Sequence, residues 1–198
     1  MPREDAVRNP LRKVQRHITS HDTTGRAIFS QHLEDSTNSW RGNYDPRLPL
    51  GSFLGYAIPA FPVRLINDSD VFEYADHLEQ SEDGSQENPS GIRLRFFDLP
   101  PGYISSWKRT KSLDFCFVIE GDVECVLDSG ASKALKRGDV TVQRGTMHIW
   151  RNQSSSKWAR MAFVSIDATP VMVNGEWVGD DVWVVEPSPA AGTASASA

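Results

Sequence analysis

From residue 92 onward the chain is a series of short runs rich in β-branched and aromatic residues, cut at close intervals by glycine and proline turns. The strand-like runs are 92–99, 104–108, 114–120, 122–127, 139–143, 148–151 and 158–166. Pro100-Pro101-Gly102, Glu120-Gly121-Asp122, Asp128-Ser129-Gly130 and Arg137-Gly138-Asp139 separate them. Short strands at regular spacing, with no helix between them, bury their apolar sides by forming a sandwich or a small barrel. This half of the chain is therefore read as all-β.

The rest of the chain is read around that unit. A length of 198 residues gives one domain at ~150 residues per domain, with ordered arms. Residues 1–60 read as an N-terminal arm. Its hairpin is carried by 14–18 and 26–29, with the turn sequence Ser20-His21-Asp22-Thr23-Thr24-Gly25 between them. Residues 61–186 read as the β-domain, with one short helix at 71–79 that Asn67, Asp68 or Ser69 would cap. The polar stretch 81–91 reads as a surface loop and the Ala/Ser/Pro tail 187–198 as disordered.

Composition excludes several classes. Lys and Arg total 21 and Asp and Glu total 26, a net charge of −5, which disfavours a nucleic-acid binder. No apolar run approaches the ~18 residues of a membrane span, and the polar N-terminus is no secretory signal. A cytoplasmic location and no membrane or nucleic-acid partner are expected. Two cysteines, Cys116 and Cys125, cannot form a disulfide framework. If the turn at Glu120-Gly121 closes a tight hairpin, they become cross-strand neighbours and pack as free thiols.

Two spacings carry the chemistry. After Gly102 come five residues, then Lys108, Thr110, Asp114 and, seven residues on, Gly121. Further along stand Gly138-Asp139, Gly145, His148 and Asn152. This pair of motifs resembles that of the cupin superfamily over roughly 92–167. More narrowly, 109–114, Glu120-Gly121 and the run 138–152 resemble a group of small single-domain microbial cupins. The segment 17–22 is similar to that group's N-terminal hairpin. Some fungal members lie among genes for small natural products. The resemblance implies a single cupin β-barrel, jelly-roll-like, with the motif side chains facing inward. It also implies a homodimer that exchanges or packs N-terminal arms.

In cupins the first motif supplies two His and a Glu, and the second supplies a third His, as metal ligands. Here Lys108 and Thr110 stand at the two His positions and Asp114 at the Glu position; His148 alone is kept. A lysine cation and a hydroxyl are poor ligands, and an open catalytic metal wants at least three good ones. No metal and no other cofactor is therefore expected.

Alternation along a strand places Ser106, Lys108 and Thr110 on one face, Asp114, Cys116 and Val118 on another, and His148 with Trp150 on a third. His148 is the candidate general base or acid, Lys108 the candidate cation for a developing enolate, and Asp114 the group that orients them. Thr110, Trp150, Ser106 and Arg95 are the candidate substrate contacts, although a solvated face is the plainer reading of Arg93 and Arg95. His21 is the fallback for proton transfer. Phe115, Phe117 and Ile119 alternate with the inward set and would need cover.

The expected function is a metal-independent enzyme of lyase or isomerase type. It would act by proton abstraction with dehydration, decarboxylation or cyclisation. Its substrate would be a small oxygenated carboxylate or a polyketide-like intermediate. A metal-dependent cupin oxygenase or isomerase and a non-catalytic small-molecule binder are the alternatives.

Overall fold

The computed structural model describes residues 9–35, 41–42, 51–80 and 91–183. The stretch 81–90 and the tail 187–198, read above as loop and disordered segment, lie outside the described residues. Strands β1 (Thr19–His21) and β2 (Ala27–Phe29) form the N-terminal hairpin, a few residues later than the sequence pattern placed its first strand. Asp22 closes the turn, its side chain accepting the backbone N–H groups of Thr24 and Arg26.

Two antiparallel sheets make the domain. The larger combines β3 (Arg41–Gly42), β4 (Gly51–Ile58), β5 (Ile92–Leu99), β7 (Ser112–Glu120), β10 (Val140–Arg144) and β12 (Ala159–Asp167), in the order β10-β7-β12-β5-β4-β3. The smaller combines β6 (Trp107–Arg109), β8 (Asp122–Leu127), β9 (Ser132–Lys136), β11 (His148–Arg151) and β15 (Asp181–Trp183), in the order β15-β6-β11-β8-β9. A separate hairpin, β13 (Val171–Val173) and β14 (Glu176–Val178), links β12 to β15. β4, in the segment read as arm, is a strand of the larger sheet and pairs with β5.

One core joins the two sheets. Leu99, Cys116, Val118 and Met161 come from the larger sheet, and Val123, Cys125, Leu135 and Trp150 from the smaller. Each such side chain contributes about 1.5–3 kcal/mol on burial. The alternation along β7 is the cause: Asp114, Cys116 and Val118 are buried, whereas Phe117 and Ile119 are 37% and 41% exposed.

Gly121 carries the chain from one sheet to the other. Its φ is +74°, and a Cβ there would lie 2.9 Å from the carbonyl oxygen of Trp158. This corrects the hairpin reading of the Glu120-Gly121 turn. Cys116 pairs across its sheet with Thr141 and Phe163, and Cys125 with Trp150 and Lys133. The two thiols are free and buried, but they belong to opposite sheets rather than to adjacent strands.

The outer face of the larger sheet is covered unevenly. Helix α1 (Ser69–Gln80) lays Val71 and Tyr74 over β4, with the Tyr74 and Tyr56 rings 4.6 Å apart and the Tyr74 hydroxyl donating to the Leu54 carbonyl. Nearby, Asp98 and Arg160 form a buried ion pair, with Arg160 Nη1 donating to the Arg12 carbonyl and Asn9 to Asp98. Toward β7 and β10 this cover ends among the described residues, and Phe117, Ile119, Val140 and Val142 are exposed. No helix among the described residues is long and apolar enough to cross a membrane.

Candidate functional site

Register pairs the motif residues within each sheet, and the two sheets face each other across the core. His148 on β11 is the direct cross-strand partner of Lys108 on β6. On the facing sheet Asp114 of β7 pairs with Gln143 of β10 on one side and Ser165 of β12 on the other. Ser165 in turn pairs with Arg93, and Phe163 with Arg95. The face of β5 that carries Arg93 and Arg95 also carries Phe97, whose partner Met161 is fully buried in the core. Both arginines thus point inward, which corrects the solvated-face reading. Arg93 is anchored by an ion pair to Asp167 at 3.0 Å.

These residues sit at one end of the interior, where β7 begins and β12 finishes. The opposite end is packed solid by the core described above. At the site end Phe97, Leu127 and Phe163 face inward yet stay only partly buried. Incomplete burial of inward aromatic and aliphatic groups marks an interior open to solvent at that end.

The electrostatics follow from this placement. Burial pushes the Lys108 ammonium below its usual pKa, Asp114 pulls it back up, and Arg95 and Arg93 oppose it further. Asp114 is buried; its Oδ2 accepts a hydrogen bond from the Thr110 hydroxyl at 3.2 Å, and its Oδ1 has no hydrogen-bond partner. Ser112 donates to Thr110 Oγ1 at 2.9 Å, so Thr110 is held by both neighbours and serves to aim the carboxylate.

His148 is 3% exposed. Its Nδ1 lies 2.9 Å from the Thr146 carbonyl, which can only accept, so Nδ1 carries the proton and Nε2 is left with the lone pair. Burial lowers its pKa, the Thr146 carbonyl opposes the shift, and the Lys108 charge deepens it. The neutral imidazole is the favoured form. Thr146 is itself pinned, because its hydroxyl donates to Gln143 Oε1, while Gln143 Nε2 donates to Cys125 Sγ at 3.1 Å.

Trp150 packs edge-on to both His148 and Phe163, with ring centroids 5.4 and 5.8 Å away, and is 7% exposed. It forms the floor beneath the imidazole. Ser106 precedes β6, and its carbonyl accepts the Ser105 hydroxyl. His21 lies on β1, in the N-terminal hairpin and outside both sheets of the domain. Sequence reasoning missed Gln143, whose place opposite Asp114 comes from the β7–β10 register, and named Arg95 but not Arg93 as a substrate contact.

The arrangement holds one imidazole, one carboxylate and one lysine ammonium where four ligands would stand in the resembled motif. Among the described residues no three His, Cys, Asp or Glu side chains gather as metal donors. What the group can do directly is accept a proton at His148 Nε2 beside a cation.

No family model matches the chain. It is 40% identical over 173 residues to Phomopsin biosynthesis cluster protein C' of Diaporthe leptostromiformis, covering 85% of this chain and 86% of that one. It is 37% identical over 174 residues to Oryzines biosynthesis cluster protein J of Aspergillus oryzae, covering 88% and 94%. A cupin-domain-containing oxidoreductase of Neurospora crassa is 34% identical over 177 residues, covering 87% and 83%.

Proposed function

This chain belongs to the cupin family, among relatives named for fungal biosynthesis clusters, and on that premise we propose that it is a metal-independent cupin enzyme of natural-product metabolism. Its reaction is of lyase or isomerase type on a small oxygenated carboxylate or polyketide-like intermediate. The observation that carries the reading is the neutral, oriented His148 beside Lys108, with an unpartnered oxygen of Asp114 across the interior.

A resident divalent cation does not suit this donor set. Lys108 brings a positive charge to a ligand position, and Thr110 Oγ1 is occupied with Asp114 and Ser112. His148 Nε2 removes a proton from a carbon next to a carbonyl or carboxylate. The electron pair moves onto that oxygen, where the Lys108 ammonium stabilises it. When the pair returns, it expels a β-hydroxyl as water or takes back the proton at another carbon; in a decarboxylation no proton is abstracted first, because the departing carbon dioxide leaves its bonding pair behind as the enolate, which Lys108 stabilises and a protonated His148 then protonates at carbon. The imidazolium supplies the proton that the leaving or reforming group needs.

The test starts from the metabolite that accumulates in a deletion strain, used as substrate for chelator-treated protein. Turnover without added metal, together with deuterium entering the product from D2O, supports the reading. Activity that is lost with chelator and restored by one divalent ion would overturn it. The relatives named oxidoreductases favour a second reading, a redox step with an external oxidant. A product that differs from substrate by two hydrogen atoms would establish that instead. The homodimer expected from the resemblance would cover Phe117, Ile119, Val140 and Val142, and light scattering at micromolar concentration checks it.

A further inference from the structure

His148 is a base at Nε2 only while its proton stays on Nδ1, and the groups that keep it there extend beyond the ring. Nδ1 is held by the Thr146 carbonyl. The hydrogen bond made by one imidazole nitrogen sets the state of the other, so the placement of this carbonyl decides where the lone pair lies. Thr146 belongs to neither β10 nor β11 but to the turn between them. Its hydroxyl donates to Gln143 Oε1. Gln143 is 3% exposed, and its Nε2 donates to Cys125 Sγ at 3.1 Å. Its backbone lies in β10 of the larger sheet, and Cys125 lies in β8 of the smaller one. One amide therefore ties the turn to both sheets. Cys125 is also the cross-strand partner of Trp150, which packs against His148. A buried amide engaged at both its oxygen and its nitrogen is held in one orientation. A bridge between sheets is the plainer use of such an amide. What exceeds that use is its grip on the very residue whose carbonyl holds the base.

We infer that Gln143 is a positioning residue of the site: by holding Thr146 it keeps the His148 proton on Nδ1 and the lone pair on Nε2, facing the substrate. Its importance to turnover rests on the reading of His148 as the proton acceptor; its choice of tautomer does not. Without the amide the Thr146 hydroxyl has no grip on the facing sheet, and the carbonyl is free to turn away from the ring. Nδ1 then loses its acceptor, the proton redistributes to Nε2, and the nitrogen that should accept becomes a donor. Gln143 touches no reacting atom in this account and acts through Thr146 alone.

The experiment is nitrogen NMR of the full chain carrying ring-15N histidine, at pH ~8 where the imidazole is neutral. The His148 signals are those that vanish in His148→Gln, and a bare ring nitrogen resonates far downfield of a protonated one. Wild type shows a protonated Nδ1 and a bare Nε2. Gln143→Met, which keeps the length and removes the amide, moves the proton to Nε2 in at least half of the molecules. Thr146→Val keeps the branch and the carbonyl but loses the hydroxyl, and it shifts the tautomer in the same direction. Thr146→Ser keeps the hydroxyl and retains the wild-type signature. A purely structural bridge would lower the melting temperature of Gln143→Met and leave the tautomer alone. An unmoved tautomer in folded Gln143→Met therefore overturns the inference, and so does one in Thr146→Val, which decides alone should Gln143→Met fail to fold. Turnover is read separately, with the metabolite accumulated by the deletion strain as substrate. Gln143→Met lowers kcat with KM little changed, by less than the ~10²–10⁴-fold that removing the base itself costs. A moved tautomer with unchanged kcat defeats the proton-transfer reading and leaves the role of Gln143 standing; an unmoved tautomer with active His148 does the reverse.

Discussion

The two faces of the larger sheet handle buried charge in opposite ways. On the outer face, Asp98 and Arg160 sit across from each other on β5 and β12 with both carboxylate oxygens engaged, at 2.5 and 2.7 Å. Asn9 adds a third bond to the carboxylate, and the remaining guanidinium nitrogen reaches the Arg12 carbonyl. On the inner face, Asp114 has one engaged oxygen and one without a partner, near a lysine whose charge burial disfavours. A satisfied pair fixes structure; here it fastens residues 9–12 to the barrel. An unsatisfied set is kept at a cost to stability, which is the usual mark of a group held for a ligand. The same sheet therefore separates what holds the protein together from what the protein is proposed to do.

The largest effect expected from this contrast is on the outer face. Asp98→Ala leaves the Arg160 guanidinium buried without its carboxylate, and should cost about 3–5 kcal/mol of stability in chemical unfolding. Replacing both partners, Asp98→Leu with Arg160→Met, should cost clearly less than Asp98→Ala alone, because no charge is stranded. A single-variant loss below about 1 kcal/mol would show that water or the arm already compensates, and would erase the distinction between the faces.

His148→Gln should behave in the opposite manner. Turnover falls ~10²–10⁴-fold, the range for a positioned general acid or base, while the melting temperature changes little. Near-normal turnover in a folded variant would move the chemistry away from the inner face altogether.

How far the chain displays this division in its letters depends on what each part needs. The inward set on β7 was legible, because Asp114, Cys116 and Val118 alternate with Phe115, Phe117 and Ile119. Motif spacing put Lys108 and His148 at interior positions; their direct cross-strand pairing comes only from the β6–β11 register. A solvated face was the plainer reading of Arg93 and Arg95, although Arg95 was also a candidate contact, because alternating polar and apolar residues ordinarily place the polar ones in water. In a barrel with a polar interior that sense is inverted at one end, and only the β5–β12 register reveals it. The Glu120-Gly121 turn looks locally like a hairpin, and only the sheet order shows that the chain changes sheets there. Asp98 and Arg160, 62 residues apart, carry no local signal of each other.

Lys108→Met sharpens the comparison at smaller magnitude. Burial disfavours the ammonium, and Asp114 only partly offsets this. An apolar side chain of similar length relieves that ammonium but takes the cation away from the buried Asp114 carboxylate, so stability should change by less than about 1 kcal/mol in either direction while turnover drops. A loss of several kcal/mol would mean that Lys108 and Asp114 are as tightly coupled as Asp98 and Arg160.

The smallest effect is a difference in pH dependence, and its sign is fixed by the direction of the His148 shift. Burial lowers the folded-state pKa of His148 below its unfolded value of about 6.5. Well above ~6.5 the imidazole is neutral in both states and the shift contributes nothing to the slope. As pH falls through that value the unfolded chain takes the proton first, so stability is lost, and the loss levels off once the folded-state pKa has been passed. Wild type should therefore lose more stability than His148→Gln on acidification from ~7.5 to ~5.5, by up to about 1 kcal/mol, measured as paired denaturant titrations at each pH. The pairing matters, because every carboxylate shared by the two proteins cancels in the difference. The same shift predicts that turnover rises with pH below ~6.5 and is flat around neutrality if Nε2 accepts the proton. A difference of the opposite sign would mean that His148 is held as a cation in the folded protein. Its Nε2 would then be a donor, and the direction of proton transfer on the inner face would be reversed.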